Sequence, residues 1–244
     1  MINGRYELKY QLNFDTYYLF LKDIIPYFKK DFFTSIANKN KYFVKSLYFD
    51  NYNFISLNDK LEGEYKRFKL RLRCYNEIKE DNKFINVEIK NREGETINKE
   101  TCKINIDKYN NFIKYNKFSD NDENVLVKFN TFIKKFSLFP CVNIEYYREV
   151  YESKLGNDIR ISFDHSIKSS SAKDLFNIKS NVRLSSNSAI IMEIKTRKVL
   201  PKWLIKLIKK NSLKLIVHSK YASGNLTSNI SFKGSNNYFN NLNL

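Results

Sequence analysis

Glycine, proline and cysteine are all scarce in this chain. Its 244 residues include six Gly and three Pro, too few to mark a flexible linker, and no internal repeat is visible. No GxxxxGK[ST], GxGxxG or GxSxG segment occurs. That removes the glycine-rich nucleotide loops and the nucleophile elbow of the hydrolases. Cys74, Cys102 and Cys141 are odd in number and widely spaced among apolar, strand-like residues. They suit neither a disulfide framework nor a zinc site and point to a reducing, cytoplasmic setting. His165 and His218 are not spaced as a metal pair. No apolar run reaches the roughly 18 to 20 residues that span a bilayer, and charge begins at Arg5, so a soluble, unprocessed chain is expected.

Positive charge and aromatic side chains are abundant. Lys and Arg number 43 against 26 acidic residues, for a formal charge of +17. This imbalance suggests an anionic partner, for which nucleic acid, a membrane surface and polyphosphate all qualify. The length and a 42% hydrophobic content suffice for one large domain with a substantial core. That domain is expected over residues 1–224. From about Asn225 the chain turns rich in Asn and Ser, and 225–244 is expected to be a disordered tail.

Period-2 alternation predicts strands near 5–10, 42–50, 67–74, 84–90, 101–106, 142–151, 160–164 and 189–196. Helical spacing appears over 14–27, 123–136 and 201–210, where Trp203, Leu204, Leu207 and Ile208 form an apolar stripe. Successive strand side chains point to opposite faces. Arg5, Glu7 and Lys9 therefore share a face opposite Tyr6, Leu8 and Tyr10. In RFKLRLR, Arg67, Lys69, Arg71 and Arg73 oppose Phe68, Leu70 and Leu72. Glu88 with Lys90, Tyr146 with Arg148, Arg160 with Ser162 and Asp164, and Glu193 with Lys195 repeat the arrangement.

One such strand alone reads as a solvated outer face. Six in one chain read differently, because like charges opposed across a sheet repel unless an opposite charge arrives. A polyanion with a divalent metal supplies that charge. Arg offers fixed bidentate donors to phosphate and Lys a mobile point charge, while carboxylates are hard oxygen ligands for Mg²⁺ or Mn²⁺. Phosphoryl transfer needs positioning and charge neutralisation more than a nucleophile.

These motifs, in their order, resemble the VTC-type polyphosphate polymerase domain, a branch of the triphosphate tunnel metalloenzyme (CYTH-like) superfamily. The resemblance runs from RYELKY at 5–10 to HSKYASG at 218–224 and includes SLYFDN at 46–51. RYELK makes Lys9 a phosphate ligand, with Arg5 beside it. RLR makes Arg71 and Arg73 substrate ligands, with Lys69 on the same face. EIK carries over Lys90, GETINKET places Lys99, and YYR brings Tyr146 and Arg148. MEIKT makes Glu193 the leading metal ligand, assisted by Glu7 or Glu88, with Lys195 on phosphate, and SKY supplies Lys220. The sequence departs from the family where Val217 and His218 replace an expected Lys. The Ser-rich stretch 165–188 matches no family motif.

The resemblance implies an α+β fold, an antiparallel β-barrel or tunnel with a charged interior and helices packed outside. It also implies a metal-dependent transfer of the terminal phosphate of ATP to a growing polyphosphate chain, with Mn²⁺ or Mg²⁺ as cofactor and no nucleic-acid partner. A triphosphatase in the same tunnel and a non-enzymatic RNA or polyanion binder stay open as alternatives. The alternation, however, puts most aromatics opposite the charges. Any protein partner is left undetermined.

Overall fold

The computed structural model describes residues 6–94, 96–119, 122–156, 158–176, 182–183 and 189–227. Arg5 lies outside this set, as does the Asn-rich tail beyond Thr227; residues 225–227 continue a helix.

The alternating segments form β1 (Tyr6–Leu12), β3 (Tyr42–Asp50), β4 (Lys66–Cys74), β5 (Ile85–Glu93), β6 (Thr96–Ile104), β7 (Phe139–Ser153), β8 (Arg160–Ser171) and β10 (Ile190–Thr196). Two short strands, β2 (Phe28–Lys30) and β9 (Val182–Arg183), lie beside them. The helices are α1 (Phe14–Ile24), α2 (Phe32–Ile36), α3 (Ile55–Leu61), α4 (Ile106–Tyr115), α5 (Asn124–Phe136), α6 (Lys202–Lys210) and α7 (Lys220–Thr227). None is long and apolar enough to cross a membrane. Helix α1 stops short of Tyr27 because Pro26 has no amide hydrogen to extend the ladder, although Ile25 before it still holds helical dihedrals, φ −48° and ψ −40°. Strand β6 ends at Ile104 rather than 106 because Asn105 caps α4, its side chain accepting from the Lys108 backbone amide at 2.9 Å. The three cysteines are free and buried.

All ten strands join one antiparallel sheet in the order β1-β10-β8-β7-β3-β4-β5-β6, with β2 on β7 and β9 on β8. The sheet is strongly curled. Lys90 on β5 meets Glu7 on β1, Nζ to Oε2 3.6 Å, although the two strands lie near opposite ends of the hydrogen-bonded path. Among the described strands β1 and β6 share no ladder, so the sheet is curled without being closed by backbone hydrogen bonds, and the Lys90–Glu7 pair spans its interior.

Alternation decides what faces each way. Outward, Leu70, Leu72, Val87 and Ile89 pack under α4 and α5 against Tyr109, Phe112 and Phe129. Beside this core, Tyr10, Phe163, Met192 and Ile194 pack under α1 and α6 against Phe20, Ile24 and Leu204. Each fully buried Leu, Ile or Phe contributes about 1.5–3 kcal/mol, and this outer packing holds the charged residues of the same strands facing inward. A third cluster lies on the inner face, where Tyr221 and Ala222 of α7 pack on Val44, Val142 and Ile144. Helix α7 thus enters the concave side as a stopper.

Candidate active site

Inside the curl lies a cavity of about 150 Å³. Its lining includes Glu7, Lys9, Lys69, Arg71, Arg73, Glu88, Lys90, Tyr146, Arg148, Glu193, Lys195 and Lys220. These are all the predicted site residues within the described chain except Lys99. Tyr48, Ser219 and Tyr221 complete the wall.

On one wall, β4 and β5 are in register with Arg71 opposite Glu88. Arg71 Nε donates to Glu88 Oε2 at 2.7 Å and its Nη1 to the Tyr48 hydroxyl at 2.9 Å. Lys99 stands on β6 outside the lining, yet its Nζ lies 3.0 Å from Glu88 Oε1. That oxygen has no hydrogen-bond partner of good geometry. Burial by itself would raise the pKa of Glu88, but Arg71, Arg73 and Lys99 outweigh it and hold the carboxyl down to about 2. Arg73 is fixed by its Nε donating to Ser46 Oγ at 3.0 Å.

The opposite wall is β1 with β10, where Lys9 is in register with Glu193 and Glu7 with Lys195. Lys195 Nζ sits between two carboxylates, 3.1 Å from Glu193 Oε1 and 3.8 Å from Glu7 Oε1. Glu193 is only 6% exposed. Desolvation opposes its ionisation, yet Lys195, Lys9, Lys220 and Arg148 together hold its pKa well below the usual carboxylate range. Lys9 Nζ donates to the His218 carbonyl at 2.8 Å, and Lys69 Nζ donates to Ser219 Oγ at 3.1 Å. Burial, then the nearby Lys9, Lys60 and Lys90 charges, push the Lys69 pKa down to about 7.

Behind the cavity wall, next to Arg148 and Lys220, Asp164 is fully buried. It accepts from Arg148 Nε at 2.6 Å and Nη2 at 2.8 Å, and Lys220 Nζ stands 2.5 Å from its Oδ2. Burial opposes its charge, but Arg148 and Lys220 prevail and depress its pKa far below the ordinary value. The Tyr146 ring lies 5.0 Å from the Arg148 guanidinium and 5.1 Å from Lys220 Nζ.

The family described as VTC domain matches residues 4–229. The chain belongs to the VTC domain family. Among solved structures, a candidate adenylate cyclase from Bacillus halodurans is similar with a TM-score of 0.52 at 10% identity, covering 88% of this chain and 95% of that one. The corresponding protein of Vibrio parahaemolyticus aligns at 11% identity over 91% and 97% of the two chains, with a TM-score of 0.48. A mimivirus capping-enzyme triphosphatase aligns at 12% identity over 85% and 88%, with a TM-score of 0.36. No curated protein matches. At such identities the likeness of the first structure establishes the fold, a tunnel-like α+β architecture, and nothing of the chemistry.

Within this VTC domain the residues that sequence reasoning missed are Asp164, Tyr48, Ser219 and Tyr221. Asp164 shares an alternating face with Arg160 and Ser162, which gave it no distinction; Arg160 instead turns to Asp31, Nη2 to Oδ2 2.7 Å. Of the two histidines, His165 lies across the sheet, its Nε2 2.5 Å from Glu149 Oε1. His218 is beside the cavity, where burial, then Lys220 and Lys9, lower its pKa to about 4.

Among the described residues no three His, Cys, Asp or Glu side chains gather as a ready ligand cage. Mg²⁺ and Mn²⁺ in phosphate-handling sites need only one or two carboxylates, the remaining ligands coming from phosphate and water. Glu193 and Glu7, which both face the Lys195 ammonium, offer two carboxylates of that kind. The residues fit such an ion.

Proposed function

We propose that this VTC domain is a metal-dependent polyphosphate polymerase, transferring the terminal phosphate of ATP to a growing polyphosphate chain. One observation carries the reading: the cavity is lined by eight basic side chains and three carboxylates, with Asp164 behind the wall as a fourth. Burying so many like charges is costly unless a polyanion balances them.

In the proposed reaction Arg71, Arg73, Lys90 and Arg148 hold and neutralise the phosphates as charge shifts between attacking and leaving oxygens. Lys9, Lys69, Lys99, Lys195 and Lys220 complete the cradle with Tyr146. Pairing to Glu88 and Tyr48 fixes the Arg71 guanidinium, and Asp164 fixes Arg148, so little reorganisation is needed when phosphate arrives. Glu193 with Glu7 would hold Mg²⁺ or Mn²⁺, which supplies Lewis-acid neutralisation of the phosphate oxygens. Glu88 is committed to Arg71 and Lys99, and we assign it a positioning part.

The test is incubation of the purified protein with ATP and Mn²⁺ or Mg²⁺, resolving products on a gel. A ladder of phosphate chains, lost in Glu193→Gln and Arg71→Ala variants that still melt cooperatively, is the expected result. Free phosphate without a ladder would replace this reading with a triphosphatase of the same architecture. Tight binding without metal-dependent turnover would replace it with a polyanion-binding module.

A further inference from the structure

The basic column on β4 does not end where the cavity does. Arg73, Arg71 and Lys69 line the cavity, while Arg67 does not. Arg67 is the next residue on that face, its Cα about 7 Å further along the strand. On β5 Lys90 lines the cavity and Arg92 follows it on the same face. The register sets Arg67 directly opposite Arg92, a like-charge pair that weakens a sheet unless something neutralises it. Lys60, in the last turn of α3, joins them. Burial, then Arg67 and Arg92, lower its pKa, and Lys60 is also among the charges acting on Lys69. The cluster is therefore continuous with the cavity.

Acids lie near it, with Asp59 close enough to act on Arg67 and Glu62 and Glu64 close enough to act on Asp59. Among the described residues none of the three cations makes an ion pair; Arg92 Nε donates instead to the Gly94 carbonyl at 2.7 Å. Asp59 acts on Arg67 but is outweighed by burial and Arg92, and Glu93 is taken by Lys66, Nζ to Oε1 3.0 Å.

We propose that Lys60, Arg67 and Arg92 form a second anion site, which binds phosphate units of a polyphosphate chain long enough to emerge from the cavity. The proposal rests on the reading of the cavity itself as a phosphate site. Two guanidiniums and an ammonium suit successive phosphates through bidentate and point-charge contacts. A chain anchored in the cavity meets the cluster at high effective concentration, so long chains gain affinity that a triphosphate does not.

The experiment titrates tripolyphosphate and long-chain inorganic polyphosphate into the wild type, the triple variant Lys60→Met/Arg67→Gln/Arg92→Gln, and Arg92→Gln alone. Arg92 is exposed, so the single variant guards against misfolding in the triple. Tripolyphosphate affinity should stay within about twofold in both variants, while long-chain affinity falls about tenfold in the triple and by less in the single. Unchanged long-chain affinity, or an equal loss for both ligands, overturns the proposal. So does an RNA oligonucleotide that loses as much as polyphosphate, since the surface would then be a general polyanion patch. If the wild type ignores tripolyphosphate yet holds long chains through these cations, the cavity reading falls and the second site stands.

Discussion

At Asp164 one fully buried carboxylate is shared by Arg148 and Lys220. Removing its charge leaves two cations without their partner, so Asp164→Asn should cost about 3–5 kcal/mol in urea unfolding. Because the folded pKa is depressed, the stabilisation is present above the ordinary carboxylate value and is lost as pH falls below it; the variant should show a flatter acid limb. Lys69 supplies a second pH signature. Its folded pKa of about 7 lies below the ordinary 10.5, so between those values only the unfolded chain holds the proton, and this group makes the empty protein more stable as pH rises. A bound polyanion recharges Lys69. Tripolyphosphate affinity should therefore fall as pH rises above about 7, with proton uptake seen by calorimetry in two buffers, and Lys69→Arg should remove that part of the profile. Alternation made Lys9, Lys69, Arg71, Lys90 and Lys195 legible because each sits in a strand with a hydrophobic opposite face. Asp164 was illegible as a site residue because its importance comes from Arg148 one strand away and Lys220 in a helix, neither adjacent in sequence.

Among the elements, α7 decides the shape of the cavity while carrying Lys220. Its Tyr221 hydroxyl donates to the Asp50 carboxylate, which also accepts from the backbone amides of Ser56 and Leu57 at the start of α3. A Cβ at Gly224 would stand 3.1 Å from Ile144 Cδ1 and 3.4 Å from Ser169 Cβ. Gly224→Val should thus lower stability by about 1–3 kcal/mol and weaken tripolyphosphate binding together with it, both read from melting curves with and without ligand. Nothing in KYASGNLT announces such a helix, since its small and polar residues lack the apolar stripe that made α5 and α6 readable. The Ser-rich stretch was opaque for a related reason. Its first part continues β8 to Ser171, and Ser169 and Ser170 are 1% exposed; burial of serine in a sheet leaves no hydrophobic alternation to detect.

For the whole molecule, the outer cores hold together a sheet whose inner face carries unbalanced positive charge. The charged sheet faces were legible because the same alternation recurs in strand after strand, while the tunnel came only with the resemblance to the VTC-type domain. The curl that brings Lys90 and Glu7 together across the interior was not legible, since it accumulates over many strands rather than following from any local signal. A ligand that neutralises the interior should stabilise the entire fold: tripolyphosphate at 100 times its dissociation constant should add about 2.7 kcal/mol, visible as a rise in melting temperature that diminishes with added salt. The most direct test of the phosphate-binding cavity is a calorimetric titration of the wild type, Arg148→Met and Lys220→Met with tripolyphosphate, with and without Mg²⁺. Saturable binding at one site per chain, strengthened by Mg²⁺ and weakened at least about tenfold in each variant that remains folded, is the predicted result. Binding that is unsaturable, or that both variants retain unchanged, would contradict the account.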